Sequence, residues 1–176
     1  MSNPPPLQTL EEELSAGLSL YWSKAGGLLH ESGVRLRVPQ RFTLEDNLFS
    51  ALFLYSYYRA GIPAHRRVLY AAVNQCLRGM VTGCDNLLDD EYKKTLDTDL
   101  PVQGTRFRSV LDIMVSDRVL FELLLEQQVA GELTLGQVKA ASAASLRALV
   151  RSGAQEASEE AGVVERLPPQ SILTAI

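Results

Sequence analysis

The stretch AHRRVLYAAVNQCLRGMVTGCDNLLDDEYKK, from Ala64 to Lys94, decides the fold. Its first two thirds contain no helix breaker except Gly79 and Gly83, and its apolar residues spread beyond one narrow stripe. Such a segment predicts one long helix that is largely buried. The helix runs into four carboxylates within seven residues, and two lysines follow them directly.

A polar seam is expected along one face of this helix. Residues four, seven and eleven positions apart share a face. Counted from Arg78, that face carries Thr82, Asp85 and Asp89, with Asn74 one turn earlier. Because buried unpaired charge is costly, we expect the seam to face other helices, where its partners could be other side chains, a metal or a wet cavity.

Two glycines, Gly79 and Gly83, lie one turn apart on the same helix. The favoured interpretation is close packing against a neighbouring helix, since glycine has no side chain to keep the two backbones apart. The alternative is that these small residues leave room for a bulky apolar ligand.

Bulk properties are those of an ordinary globular protein of one domain, or part of a larger one. The 176 residues are 46% hydrophobic and 22% charged, with a net charge of −4. An acidic chain argues against non-specific nucleic-acid binding. Cys76 and Cys84 would lie about 12 Å apart along a helix, too far for a disulfide. Free thiols, no secretory signal and no run of 18 apolar residues predict a cytoplasmic protein without a membrane span.

The remaining pattern is helical throughout. Residues 1–8 contain three prolines and are expected to be a disordered lead-in, followed by a helical domain over 9–176. Caps, glycines and prolines predict helices over about 9–30, 43–60, 64 to the acidic cluster, 105–129 and 134–161, and one that begins at 170. No strand-like alternation occurs, so the predicted class is all-α.

The acidic pair Asp85 and Asp89 suggests a metal site. Like charges one helical turn apart repel each other, and a divalent cation would offset that cost. Oxygen ligands suit Mg²⁺, which keeps several waters and bridges carboxylates to substrate phosphates. The alternative is a solvated acidic helix end, since short acidic motifs often occur without function.

Two basic sets accompany the acidic pair: Arg35 and Arg37 in a glycine-flanked loop, and Lys93 and Lys94 after the acidic cluster. Arginine binds phosphate through two parallel hydrogen bonds, and lysine supplies a point charge. Any one of these residues alone is better explained as surface charge. Together with the carboxylate pair they suggest a magnesium–diphosphate site.

Four segments resemble the trans-isoprenyl diphosphate synthases, the polyprenyl synthetase family, in order and approximate spacing over residues 25–130. Asp85-Asn-Leu-Leu-Asp89 resembles the family's first aspartate-rich motif, Asp-Asp-x-x-Asp. Lys93-Lys94 stand where the family has an arginine pair. The other two segments are Ser32-Gly-Val-Arg-Leu-Arg37, similar to Gly-Gly-Lys-Arg-x-Arg, and Val115-Ser-Asp-Arg-Val-Leu120, similar to Ala-Gly-Asp-Tyr-Leu-Leu.

The resemblance implies an incomplete isoprenoid-synthase-like helical bundle and a Mg²⁺-dependent transferase. Such an enzyme condenses an allylic diphosphate with isopentenyl diphosphate in isoprenoid biosynthesis. Asp85 and Asp89 would be the catalytic metal ligands. The diphosphate-binding residues would be Arg35, Arg37, Arg78, Lys93 and Lys94.

The sequence departs from the family in three places. Asn86 replaces a carboxylate, Val34 replaces a lysine, and the family's second aspartate-rich motif is missing. We favour a fragment of a larger synthase; a subunit of a split enzyme or a non-catalytic helical binding module are alternatives. A head-to-head synthase of the squalene or phytoene type is another, with a related fold. We expect the chain alone to turn over little or no substrate and to self-associate or need a partner.

Overall fold

The computed structural model describes residues 7–162, and most of them are helical. Within that range the chain forms five α-helices and a short 3-10 turn, Glu45–Asn47, and no β-strand. The predicted all-α class is confirmed. The helices are α1 (Leu7–Glu31), α2 (Leu48–Arg59), α3 (Ala64–Leu88), α4 (Thr105–Val129) and α5 (Leu135–Glu160).

Most of the predicted helix boundaries agree with the structure. The first helix begins at Leu7, two residues before its predicted start, so residues 7 and 8 of the predicted lead-in are helical, and its other residues lie outside the described range. At the start of α5, the Thr134 hydroxyl accepts the Gln137 N–H at 3.2 Å and Gln137 Oε1 accepts the Thr134 N–H at 2.8 Å, which is the predicted capping box. The helix predicted from residue 170 lies outside the described residues.

The first two helices, α1 and α2, end in the same type of glycine C-cap. Gly33 and Gly61 have φ angles of 75° and 73°, in the left-handed region that favours glycine. After α1, the Val34 N–H reaches back to the Leu29 carbonyl at 2.9 Å, and the Ile62 N–H makes the same bond to Tyr57 after α2. The turn at Gly33 directs the following basic segment away from α1.

The core of the first part of the chain forms where α1 packs against α3. A stripe with helical spacing runs along α1 and is almost fully buried, and α3 and α4 add further apolar side chains. At Gly17 the helices approach so closely that an added Cβ would lie 2.6 Å from the Val68 carbonyl oxygen. The buried apolar side chains of these helices include Leu10, Leu14, Leu18, Tyr21, Ala25, Leu29, Ala72, Cys76, Met80, Val115, Val119 and Leu123.

A buried ion pair also joins α1 to α3. The guanidinium of Arg67 donates to both carboxylate oxygens of Glu13, with Nε 2.7 Å from Oε2, and it lies 5.0 Å from the centre of the Tyr58 ring. Both charged residues are 8% exposed. The two hydrogen bonds and the contact with the aromatic ring offset the free energy that both charges lose when they leave water. The hydrogen bond to Glu13 raises the pKa of Arg67.

The face of α3 that is buried differs from the predicted polar seam. Arg78 and Asp89 are exposed, so the prediction that the seam faces other helices is wrong for these two residues. Asn74 and Asp85 are half-buried, and Asn74 accepts a hydrogen bond from the Tyr57 hydroxyl of α2 at 3.2 Å. The buried face lies about one residue further round the helix and includes Ala72, Gln75, Cys76, Gly79, Gly83 and Asn86.

Small side chains explain why that face is the buried one. A Cβ added at Gly79 would lie 2.1 Å from the Ser116 hydroxyl, and one at Gly83 would lie 2.8 Å from the Ser109 carbonyl oxygen. Helix α4 therefore fills the space in front of both glycines, which confirms close helix packing. The alternative, that these glycines leave room for an apolar ligand, is wrong.

Contacts divide the chain after Leu123 into two compact units, and the second contains α5. All the residues of the candidate site described below belong to the first unit. Across residues 7–162, no helix has the length and apolar character needed to cross a bilayer.

Candidate functional site

The acidic motif lies at the C-terminal end of α3. Asp85 belongs to the last turn and is half-buried, whereas Asp89 caps the helix and is exposed. The Asp89 N–H closes that turn on the Asp85 carbonyl at 2.8 Å, and Asp90, with φ 51°, turns the chain away. Both predicted metal ligands thus project from one turn of helix.

The position of these two carboxylates at the C-terminal end of α3 is unfavourable for the helix and favourable for binding a cation. Carbonyl groups at a helix C-terminus carry partial negative charge, so an acidic side chain there costs about 0.3–1 kcal/mol. Neither carboxylate makes a hydrogen bond or ion pair with another described residue. Between residues 7 and 162 no cluster of three or more His, Cys, Asp or Glu side chains could hold a metal. Two carboxylates alone fit the way Mg²⁺ binds together with phosphate and water.

Asn86, the residue that departs from the aspartate-rich motif, has a structural task. Its side chain is 4% exposed and makes two hydrogen bonds to the backbone of Lys93. The amide Nδ2 donates to the Lys93 carbonyl at 3.0 Å, and Oδ1 accepts the Lys93 N–H at 2.8 Å. A carboxylate could accept the second bond but could not donate the first. Asparagine therefore folds the chain after α3 back against its last turn.

That fold-back holds Lys93 in the field of the acidic motif. The Lys93 ammonium lies 3.1 Å from Glu91, which raises the pKa of this exposed lysine, and Asp89 and Asp85 raise it further. The first predicted lysine thus belongs to the same local cluster as the two aspartates.

The basic loop that carries Arg35 and Arg37 comes from a distant part of the chain. It docks on the α3–α4 loop, defined here as residues 89–104. An isolated antiparallel bridge pairs Leu36 with Thr98. On either side of it, the Arg37 N–H donates to the Asp97 carbonyl at 2.7 Å and the Asp99 N–H donates to the Arg35 carbonyl at 3.1 Å. The Asp99 carboxylate also accepts the Arg35 N–H at 3.0 Å. Backbone pairing therefore fixes the basic loop to the segment that follows the lysines.

This docking brings cations from both predicted sets to one carboxylate. The Arg37 guanidinium lies 4.0 Å from Oδ1 of Asp97, and the Lys94 ammonium lies 3.3 Å from Oδ2. Both cations remain largely exposed, so an anion in solution can reach them. The structure does not join Arg78 to this group: it is exposed on α3, two turns and about 10 Å before Asp85.

Sequence reasoning missed the polar groups beneath the α3–α4 loop. Arg108 and Asp112 on α4 are 5% and 2% exposed, and the Arg108 guanidinium lies 5.4 Å from the centre of the Tyr92 ring. The spacing of Arg108 and Asp112, one turn apart on an otherwise apolar helix, was a signal for a buried charge pair. Asp97 and Asp99, which connect the basic loop to the α3–α4 loop, gave no such signal because their partners in the basic loop are about 60 residues away.

Comparison with known proteins identifies no family for this chain: no family model matches the sequence, no curated protein is significantly similar, and no solved structure matches the fold.

Proposed function

We propose that this chain provides a Mg²⁺-dependent diphosphate site of a prenyltransferase, which condenses an allylic diphosphate with isopentenyl diphosphate in the cytoplasm. The observation that carries the proposal is the convergence of Arg37 and Lys94 on Asp97, next to a segment that holds Lys93 against the acidic turn. Three of the four segments that resemble one family are thereby linked: Asn86 of the acidic motif binds the Lys93 backbone, and Lys94 shares Asp97 with Arg37 of the basic loop.

The proposed chemistry depends on binding and electrostatics. Asp85 and Asp89 would hold the metal, because their carboxylates have no competing partner among the described residues. Magnesium, when bound, neutralises the charge that develops on a diphosphate as its C–O bond breaks. Lys93, close to both aspartates, would contact the oxygens of the same diphosphate as a point charge.

The basic loop would complete the same site: it would contact the metal-bound diphosphate and hold the diphosphate of the second substrate beside it. Arg35 and Arg37 are exposed, and arginine binds diphosphate oxygens through two parallel hydrogen bonds. Lys94 shares Asp97 with Arg37, so the carboxylate keeps two like charges close together until an anion arrives. Arg78, about 10 Å before Asp85 on α3, lies apart from this group and is not part of the proposed site.

One acidic turn is half of what the reaction needs. We infer that further carboxylates come from a second copy of this chain or from a partner subunit, and that the chain alone turns over little or no substrate. A binding module that holds magnesium diphosphate without turnover is the second candidate. Residues 7–162 contain no cluster of three or more potential metal ligands, and the acidic turn supplies two carboxylates. This small set of ligands favours the binding module.

An assay of substrate consumption separates the two candidates. Geranyl or farnesyl diphosphate is incubated with isopentenyl diphosphate, Mg²⁺ and the protein, while sedimentation reports its mass. Consumption that is lost in Asp85→Asn and Asp89→Asn but kept in Glu45→Gln, an exposed acid on the 3-10 turn, supports the enzyme. Binding of pyrophosphate without consumption at any oligomeric state supports the module.

A further inference from the structure

A cluster of polar side chains lies between the α3–α4 loop and the first turns of α4. Tyr92, Thr95 and Thr98 come from the loop, and Arg108 and Asp112 come from α4. The Arg108 guanidinium lies over the Tyr92 ring and reaches the Thr98 carbonyl at 3.5 Å, which is long for a hydrogen bond. The cluster therefore joins the loop that carries the two candidate lysines to α4, but its direct polar contacts are loose.

Each residue of this cluster has one polar atom that is shielded from solvent and has no hydrogen-bond partner among the described residues. The five atoms are the hydroxyls of Tyr92, Thr95 and Thr98, Arg108 Nε and Asp112 Oδ2. A buried polar atom without a partner is costly, and the great majority of such atoms in proteins are hydrogen-bonded to protein or to ordered water. Five of them in one cluster indicate a bound partner that reaches them all.

The cluster holds one charge of each sign. The Arg108 guanidinium is always protonated in proteins. Burial raises the pKa of the Asp112 carboxyl to about 6, although the Thr95 side chain, the Arg108 guanidinium and the N–H groups of Thr95 and Leu96 all favour the carboxylate. Asp112 is therefore ionised at neutral pH, and its charge balances that of Arg108.

The chemistry of the five atoms defines the class of ligand. Arg108 Nε can only donate and Oδ2 of the ionised Asp112 can only accept, so the ligand must both accept and donate. A cation would be repelled by Arg108 and an anion by Asp112, and burial of the cluster admits only a small molecule. Water is neutral and small, and it donates as well as accepts. An internal water molecule makes about three hydrogen bonds, so five atoms correspond to about two of them.

We propose that this cluster is an internal water-binding site, in which about two water molecules bridge Asp112 and Arg108 of α4 to the hydroxyls of the α3–α4 loop. The site itself depends only on the buried cluster. Its consequence, that the bound water keeps Lys93 and Lys94 in position for a diphosphate, rests on the function proposed above.

A crystal structure of the wild-type chain at neutral pH tests the site without any substitution. We expect ordered water within about 2.7–3.2 Å of Asp112 Oδ2 and of Arg108 Nε. Direct hydrogen bonds among the five atoms, with no water between them, would overturn the proposal.

Thermal unfolding at pH 7.5 gives an independent test, because the sign of the change in Tm depends on whether the hydroxyls bind water. Thr98→Val and Tyr92→Phe each remove one hydroxyl and keep the shape of the side chain. The loss of a hydrogen bond to water should lower Tm by about 2–4 °C in a chain of this size. Removal of a hydroxyl that has no partner leaves Tm unchanged or raises it.

Tyr55→Phe is the control for these variants, because Tyr55 is exposed on α2, and its Tm should equal that of the wild type. A Tm that is unchanged or raised in either Thr98→Val or Tyr92→Phe would overturn the proposal.

Pyrophosphate binding with Mg²⁺ separates the water site from the proposed function. Thr98→Val should bind pyrophosphate about two- to fivefold more weakly than the wild type, and Tyr55→Phe should bind it equally well. Equal affinity in Thr98→Val would overturn the positioning of the lysines by bound water. If no form binds pyrophosphate while the ordered water and the Tm shifts are observed, the proposed function fails and the water site stands.

Discussion

Replacing Gly17 with alanine tests the packing on which the whole fold depends, because this residue lies where α1 crosses α3. An added Cβ would lie 2.5 Å from the Cβ of Ala71, 2.6 Å from the Val68 carbonyl oxygen and 3.2 Å from the Ala72 nitrogen. Two of these three atoms are backbone and the third is a Cβ, so no change of side-chain rotamer relieves the overlap. The helices must separate.

The magnitude is the balance of two effects. Overpacking a core costs about 1–3 kcal/mol, and the absence of rotamer relief puts Gly17→Ala near the upper end. Alanine in a helix is favoured over glycine by about 1 kcal/mol. The net loss in the free energy of unfolding is therefore about 2 kcal/mol. For a chain of this size, that lowers Tm by about 4–8 °C.

Gly27→Ala, in the same helix, is the matched control. A Cβ at Gly27 would meet nothing within 4 Å, so only the helix preference remains and the variant should be more stable by about 1 kcal/mol. Thermal and urea unfolding of both variants would give stability changes of opposite sign. A Gly17→Ala variant that is as stable as Gly27→Ala would refute the close contact of α1 with α3.

Two further substitutions test the contacts that organise the helices and the site. Arg67→Met leaves the Glu13 carboxylate buried without a partner and should lower the free energy of unfolding, measured by urea titration, by about 3–5 kcal/mol. Arg41→Met is the control: it breaks the exposed ion pair of Arg41 with Glu11, 2.8 Å long, and should cost at most about 1 kcal/mol. Asn86→Asp restores the aspartate-rich motif of the resemblance but removes the donor to the Lys93 carbonyl and buries a charge. It should lower stability by about 1–3 kcal/mol and leave Mg²⁺-dependent pyrophosphate affinity no better than in the wild type, and tighter binding would contradict the structural task of this residue.

Local signals predicted the course of the backbone well. Gly61 and Pro63 mark the end of α2 and the start of α3, and Thr134 caps α5, because each of these residues acts within one or two turns of its own position. Interactions over a few residues are visible in a sequence, and so the helices were predictable.

Which face of a helix is buried depends on residues far away, and there the local pattern failed. The charges of α3 suggested an inward polar seam through Arg78 and Asp89. Packing was decided instead by Gly79 and Gly83, which let Ser116 and Ser109 of α4 come close. The spacing of charged residues identifies one face of a helix. Which face is buried depends on how closely a neighbouring helix can pack against it.

The candidate site was predictable in its residues but not in its assembly. The sequence picked out Arg37 and Lys94 as separate basic sets. It gave no sign that Asp97 would connect them, because the bridge between Leu36 and Thr98 spans 62 positions. A single antiparallel bridge has no alternating pattern, so nothing in either segment indicates the pairing.

The most direct test of the central claim is a calorimetric titration of the protein with pyrophosphate, with and without Mg²⁺. If the acidic turn and the basic loop form one magnesium–diphosphate site, binding requires Mg²⁺. Asp85→Asn and Arg37→Met should each weaken it by about 10- to 100-fold, as expected for the loss of a charge-assisted contact. Binding that is independent of Mg²⁺, or that responds to one of the two substitutions and not to the other, would contradict the claim that these residues form one site.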